Sequence, residues 1–488
     1  MKDLILLLPE IFLVVTLAGV VIGEIGHKDE KTRLAPATAL AGLVGALVQT
    51  LILYGLGPAE AFSGAVSVDG FALFFKLYAI TLAALSILMP GGGREMSPSK
   101  RAEHCALVLG AALAVCLVAA ASDIILIFLS MQLLFVVGCF LTAHGRRNRS
   151  GAEASVKYLV FGVASAFLFL FGAAILFAYT HVFNIYDMHK VLLANPMPAP
   201  VAAVAFVMIF FALAFHIVAF PMSLVAPDVL EGAPTPVGAG LSLGARAAGF
   251  ALAIRMIVVV FAQPSLSKGQ WAGMAGFDWI GILAIISGLT MVAGSLLALV
   301  QTSAKRLVSY IVVAQTGFLL MGLLVLDEVG ISALLFNLVV DLFALSGAYF
   351  VISTMYDELG SDRLAGLGGM LHKYPAESIS LILFLACAAG LPPLPGFMGK
   401  FALTGAAVRH GWYALAVVAI ISSALGAVAM GRLSFSLIGR FGQGDGGERP
   451  NIQRVAFLAS LIIPMIMIGI FAERVLDWAG KSLQFARW

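Results

Sequence analysis

Apolar runs of about twenty residues, each long enough to cross a bilayer, recur from one end of this 488-residue chain to the other. Hydrocarbon offers the backbone no hydrogen-bond partners, so a run of that length must satisfy its own peptide groups, as a helix does. The chain is 61% hydrophobic and only 11% charged, a composition foreign to a soluble domain of this size. The expected fold is an all-α polytopic membrane protein with about fourteen transmembrane helices and no separate soluble domain. The net charge of +3 is spread among the loops and points to no nucleic-acid partner; the partner of most of the surface is the lipid bilayer. Cys105, Cys116, Cys139 and Cys387 sit in apolar runs without a C-x-x-C pair, so they are expected as small buried residues and no metal or iron–sulfur site is expected. Glu10 in the first run, with no small-residue cleavage site after it, argues against a cleaved signal peptide.

The stretch Ala214–Arg255 breaks the apolar pattern. His216 lies inside an apolar run that Pro221 interrupts; a polar connection from Pro227 to Pro236 follows, and the next run carries Arg246 and Arg255. An ionisable residue at membrane depth is expensive unless paired or wetted, which makes it a functional candidate. A proline in such a run frees a backbone carbonyl and kinks the helix. The opened backbone has to face protein or a water-filled cavity. A second break stands at Pro392-Pro393-Leu394-Pro395, just before Lys400. The two broken spans, near 200–225 and 376–405, are five apart in the count and therefore cross in opposite directions. That is the pattern of an inverted repeat, and paired broken helices point to an ion path at the midplane. The expected division is helices 1–3 in residues 1–102, a first five-helix repeat in 103–262, a second inverted repeat in 277–440, and a last helix with its tail in 454–488.

Orientation follows from the loop cations. One side holds Lys28, Lys31, Arg33, Arg94, Lys100, Arg101, Arg146, Arg147, Arg149, Lys305, Arg306, Arg363, Lys373, Arg440, Arg449 and Arg454. The other holds Lys2, Lys190, Lys268, Arg409, Lys481 and Arg487. The richer side is expected in the cytoplasm, with both termini outside. Lys76 and Arg432 lie nearer span ends and are expected to snorkel or pair structurally.

The segments PDVLEGAPTPV (227–237), GARAAGF (244–250), AKRLVSYIVVAQTGFLLMG (304–322) and GLPPLPGFMGKF (390–401) together resemble the antiporter-like membrane subunits of proton-pumping NADH:quinone oxidoreductase, complex I, and among them the subunit N family. The resemblance covers essentially the whole chain. It implies fourteen helices with two inverted five-helix repeats and two broken helices. It also implies a row of buried charges: a glutamate on span five and lysines on spans seven, eight and twelve. Such a subunit carries no redox centre. NADH, FMN, iron–sulfur clusters and quinone would belong to partner subunits, and this chain would sit among other membrane subunits in a bacterial inner membrane, moving protons.

Carried over residue by residue, the resemblance places Gln132 at the glutamate position, His216 and Arg246 at the first two lysine positions, and Lys400 at the third. Ser303 holds the polar position before span ten. Gln132 cannot titrate. His216 remains a proton carrier by type, and with no carboxylate beside it should rest as neutral imidazole. The family arrangement would set Gln132 and His216 side by side. Arg246 does not lose its proton and can serve only as a fixed charge or hydrogen-bond fork. Lys400 can exchange one. Asp341, alone in the middle of span eleven, needs a partner, and Lys400 is the expected one. Three readings follow: a proton-translocating subunit of complex I, a structural subunit of that complex with a degenerate channel, or an antiporter-like subunit of a cation/proton antiporter or membrane-bound hydrogenase.

Overall fold

A computed structural model describes residues 2–26, 34–89, 100–145, 149–265, 270–273, 277–438 and 451–483. The chain opens with α1 (Lys2–Leu6), α2 (Leu8–Gly26) and α3 (Leu34–Leu56), then a small antiparallel hairpin of β1 (Ala59–Ala61) and β2 (Val66–Val68). Next come α4 (Gly70–Leu88), α5 (Arg101–Ala120), α6 (Ile124–Ala143), α7 (Arg149–Thr180) and the short α8 (Ile185–Ala194). The segment that follows runs α9 (Ala199–Ile217), α10 (Ala226–Gly232) and α11 (Thr235–Met256). A second hairpin pairs β3 (Ala262–Pro264) with β4 (Trp271–Gly273). The remainder is α12 (Trp279–Leu299), α13 (Ala304–Leu324), α14 (Glu328–Leu359), α15 (Met370–Lys373), α16 (Pro375–Ala389), α17 (Pro395–Arg409), α18 (Tyr413–Ser436), α19 (Ile452–Ile470) and α20 (Ala472–Lys481).

Among the described residues, twelve helices are long and apolar enough to cross a membrane. The expected fourteen adds α2 and the broken pair α16–α17 to these. Burial decides which helices form the centre. The apolar windows of α11 and α13 are 100% buried and that of α14 83%, whereas α3 and α19 are 28% and 22% buried. A helix apolar all round and covered on every side is interior; α3 and α19 turn most of their surface outward. Cys105, Cys116 and Cys387 are buried, and Cys139 is only partly so.

The boundaries between tightly joined helices have a local cause. Asp123 accepts a hydrogen bond from Ile125 N–H at 2.8 Å and caps α6, and Asp327 caps α14 through Val329 N–H. An aspartate at this position satisfies an otherwise orphaned donor, so each divides two apolar runs that hydropathy alone would fuse. Asp278 and Ser303 cap α12 and α13 in the same way.

Two buried ion pairs tie the first helices together. Lys76 on α4 is fully buried and lies 2.7 Å from Glu10 on α2. It does not snorkel, because its carboxylate partner sits at the same depth. Arg432 is exposed. Arg255 on α11 donates to Asp69 at 2.9 Å and to the Tyr186 hydroxyl at 2.9 Å, and Asp69 also caps α4. Asp69 thus joins the start of α4 to the end of α11. Of the loop cations used for orientation, Lys28, Lys31, Arg33, Arg94, Arg146, Arg147, Lys268, Arg440, Arg449 and Arg487 lie outside the described residues, as does the expected boundary at 440.

Removing one member of such a pair leaves the other charged and unpaired in the apolar interior. Glu10→Gln is expected to destabilise the fold by about 3–5 kcal/mol, and Glu10→Leu combined with Lys76→Met to recover most of that. Thermal unfolding of the purified protein in detergent checks both; equal losses for the single and the double variant would count against a charge-pair origin.

Candidate functional site

Both helix breaks follow from proline arithmetic. In a helix the N–H of residue i bonds the carbonyl of residue i−4. Pro221 has no N–H and so abandons the Ile217 carbonyl. The helix α9 duly ends at Ile217, one turn before the proline, with Val218 in the left-handed region at φ 63°. The chain passes through a short 3-10 turn at Met222–Leu224 into α10. The Thr316 hydroxyl on α13 donates to the abandoned Ile217 carbonyl at 2.8 Å, and the Phe220 N–H finds the Thr290 hydroxyl on α12 at 3.0 Å.

The second break repeats the logic. Pro392 and Pro393 abandon the carbonyls of Ala388 and Ala389. The helix α16 stops at Ala389 and Gly390 turns the chain with φ 81°. Lys400 on α17 donates to Ala388 O at 2.9 Å and to Ala389 O at 3.0 Å. Gln315 on α13 also donates to Ala388 O, and Ser423 on α18 to Ala389 O. The half-buried ammonium of Lys400 further lies 4.7 Å from the Phe318 ring centre. A side chain at Gly396 would meet the Cys387 carbonyl, so glycine is required there for α17 to fold back on α16.

Asp341 corrects the expected pairing. Its carboxylate accepts from Arg246 Nη2 at 2.8 Å, with the arginine side chain 0% and the aspartate 4% exposed. Lys400 lies within electrostatic reach of the same carboxylate but spends its hydrogen bonds on the broken backbone of α16. The reason is geometric: Arg246 and Asp341 project from α11 and α14, two neighbouring central helices. Arg246 keeps Nε and Nη1 without a partner among the described residues, and the nearby Tyr78 hydroxyl is likewise unpartnered.

His216, at the last turn of α9, is buried, packs edge-on against Phe215 with ring centres 5.2 Å apart, and has an unpartnered Nδ1. It lines a cavity of about 40 Å³ with Tyr158, Val218, Met222, Leu230 and Ser242. Gln132, half-buried on α6, does not line that cavity and makes no hydrogen bond among the described residues. The structure therefore brings Arg246, Asp341 and Lys400 together, and Gln132 lines neither that group nor the His216 cavity. Ser303 caps α13 and donates to Asp362.

Sequence reasoning missed the residues that hold the breaks: Thr290, Gln315, Thr316 and Ser423. A signal for two of them was present, since Gln315-Thr316 is a polar pair inside an apolar span. It also missed the clamp on α10, where Asp228 accepts from Lys157 and Arg306, each at 2.9 Å, and Glu231 from Arg306 at 3.1 Å.

Asp341→Asn strands the Arg246 guanidinium in the core. The expected cost is about 3–5 kcal/mol, largely recovered when Arg246→Met is added. Unfolding midpoints of the two variants in detergent provide the check.

Comparison with known proteins places this geometry. A family model described as "NADH:quinone oxidoreductase/Mrp antiporter, TM" matches residues 121–426. NADH-quinone oxidoreductase subunit N of Chlorobium chlorochromatii is 30% identical over 97% of this chain and 94% of that protein. A chain of respiratory complex I from Thermus thermophilus is 27% identical and superposes with a TM-score of 0.78 over 97% of this chain and 99% of that one. A chain of the Mrp complex from Dietzia, 18% identical, shares the fold with a TM-score of 0.84 over 99% of this chain and 96% of that one. The chain belongs to the NADH:quinone oxidoreductase/Mrp antiporter family of transmembrane subunits.

Proposed function

We propose that this chain is the N-type membrane subunit of a complex I-type NADH:quinone oxidoreductase and that it takes part in moving protons across the membrane as partner subunits reduce quinone. The observation that carries the proposal is the Lys400 ammonium held against the opened carbonyls of Ala388 and Ala389. A broken helix at membrane depth with a titratable group at the break is the arrangement that transporters use for ions. Lys400 is the exchangeable group. When its amine gives up a proton, Gln315 still satisfies Ala388 and Ser423 still satisfies Ala389, so the break keeps its shape through the change. Asp341 attracts the ammonium electrostatically, and Arg246 balances that carboxylate with a charge that stays fixed.

The chain's own part is to bind, position and pass protons. In this proposal NADH, FMN, iron–sulfur clusters and quinone belong to partner subunits, and this chain holds none of them. Its place is a bacterial inner membrane, with both termini on the non-cytoplasmic side, among other membrane subunits of the complex. Residues 103–262 and 277–440 form the two inverted halves. The sequence similarity to a subunit N over nearly the full length supports this assembly over an Mrp-type antiporter, with which the match is one of fold.

A second reading, a structural subunit whose first half no longer conducts, is favoured by one observation: Gln132, which cannot titrate, does not line the His216 cavity.

Lys400→Met separates the two. The remaining caps on Ala388 and Ala389 should let the complex assemble, and methionine is cheaper than a charge in hydrocarbon. Proton translocation per quinone reduced, measured in reconstituted vesicles, is expected to fall well below wild type. Full pumping by the assembled variant would favour the structural role.

A further inference from the structure

Five of the buried polar atoms that have no partner among the described residues lie on four neighbouring residues: the Tyr78 hydroxyl, Ser86 Oγ, His104 Nδ1 and, at the centre, Nε and Nη1 of Arg246. Their residues are 4%, 5%, 5% and 0% exposed. Buried polar groups are almost always hydrogen-bonded, and where protein supplies no partner, water does.

These atoms are not scattered. Tyr78, Leu82 and Ser86 occupy successive turns of one face of α4. Gly240 and Gly244 stand opposite them on α11. A Cβ at Gly240 would lie 3.8 Å from Ser86 Oγ, and one at Gly244 3.3 Å from a Leu82 methyl. The missing side chains leave a cavity of about 30 Å³ bounded by α4, α5, α6 and α11; its lining is apolar (Ala79, Leu82, Val108, Val115, Leu141 and others) except for Ser86. The volume has room for water, which Ser86 Oγ would anchor there. One turn inward lies Tyr78, within electrostatic reach of Arg246 and Asp341.

The outer end is also polar. His104 on α5 reaches the Ser86 backbone and stacks on His144, with ring centres 6.0 Å apart. His144, just beyond the end of α6, sits 3.7 Å from the Glu103 carboxylate, which is 60% exposed. Burial holds the His144 imidazole below the ordinary histidine value, so it rests neutral and is free to accept a proton and pass it on. The mouth lies on the face that carries Lys100 and Arg101.

We propose that Glu103, His144, His104, Ser86 and the water in the α4–α11 seam form a proton inlet to the Arg246–Asp341 pair, separate from the His216 cavity. The proton enters from bulk water at Glu103, is taken up and released in turn by the two imidazoles, and crosses the seam on water past Tyr78. It ends on the Asp341 carboxylate, from which Lys400 is the next base. Arg246 takes no proton; it orients the innermost water and holds Asp341. Leu82 lies between Ser86 and Tyr78 on this face, one turn from each. The proposal rests on the proton-moving reading above.

The test uses the whole reconstituted complex. Ser86→Cys is nearly isosteric, and Ag⁺ travels in water and not in hydrocarbon. The introduced thiol is expected to react with Ag⁺ in the folded complex, read as its loss of maleimide labelling after unfolding, with the unsubstituted complex as blank. A protected thiol would mean a dry seam and overturn the inlet without reference to pumping. His104→Leu and Gly240→Leu, judged in assembled complexes, are expected to slow proton translocation by about tenfold or more, as loss of a proton-transfer group does. Lys400→Met is run beside them. If Lys400→Met loses pumping while His104→Leu and Gly240→Leu keep it, the inlet is wrong and the proton-moving reading stands. If Lys400→Met pumps normally too, that reading fails and the inlet fails with it.

Discussion

A proline in a hydrocarbon-length helix creates a debt that only a neighbouring side chain can settle, and the centre of this protein is arranged around three such carbonyls. Ile217, Ala388 and Ala389 lose their donors because Pro221, Pro392 and Pro393 follow four residues later. The donors that replace them converge from a small set of positions. The adjacent residues Gln315 and Thr316 on α13 serve one break each, through Ala388 and Ile217. A wholly buried helix therefore touches both openings at one level. This makes α13 the member that fixes the distance between them, and it explains why an apolar span tolerates two consecutive polar residues.

The buried charges obey the complementary constraint. Each fully buried cation described above has a carboxylate at its own depth: Lys76 with Glu10, Arg255 with Asp69, Arg246 with Asp341. Such pairs are weak sources of stability but strong determinants of arrangement, since breaking one costs far more than the pair supplies. Two of them hold α4 to its neighbours α2 and α11, and the third holds α11 to α14. The charges thereby fix the helices that enclose the candidate path.

Much of this was legible in the chain. The apolar runs specified a helical membrane protein, and the prolines located both breaks to within a turn. The aspartates between fused runs marked the cuts that hydropathy blurred. Two things were not legible. The partner of Asp341 depends on which helices are neighbours in three dimensions, and sequence distance carries no such information; Arg246 is 95 positions away. The relation of Gln132 to His216 was inferred from resemblance, and Gln132 is not among the residues that line the His216 cavity. For Lys76 the second of its two expected fates holds: it pairs with Glu10 at its own depth.

The two breaks share a backbone design but differ in what completes it. At the first, neutral hydroxyls on Thr316 and Thr290 satisfy the opened backbone, and the titratable His216 stands beside the break without serving it. At the second, the titratable Lys400 is itself one of the caps. Protonation at the first break therefore leaves the backbone bonds untouched, whereas at the second it changes the charge on a donor that the carbonyls contact directly. A shift of the Asp341 carboxylate, or of the charge balance with Arg246, alters the field at Lys400 and so the strength of those bonds. A titratable donor and the opened carbonyls meet in the α16–α17 break alone of these two, and that is the physical reason for proposing the exchangeable proton there.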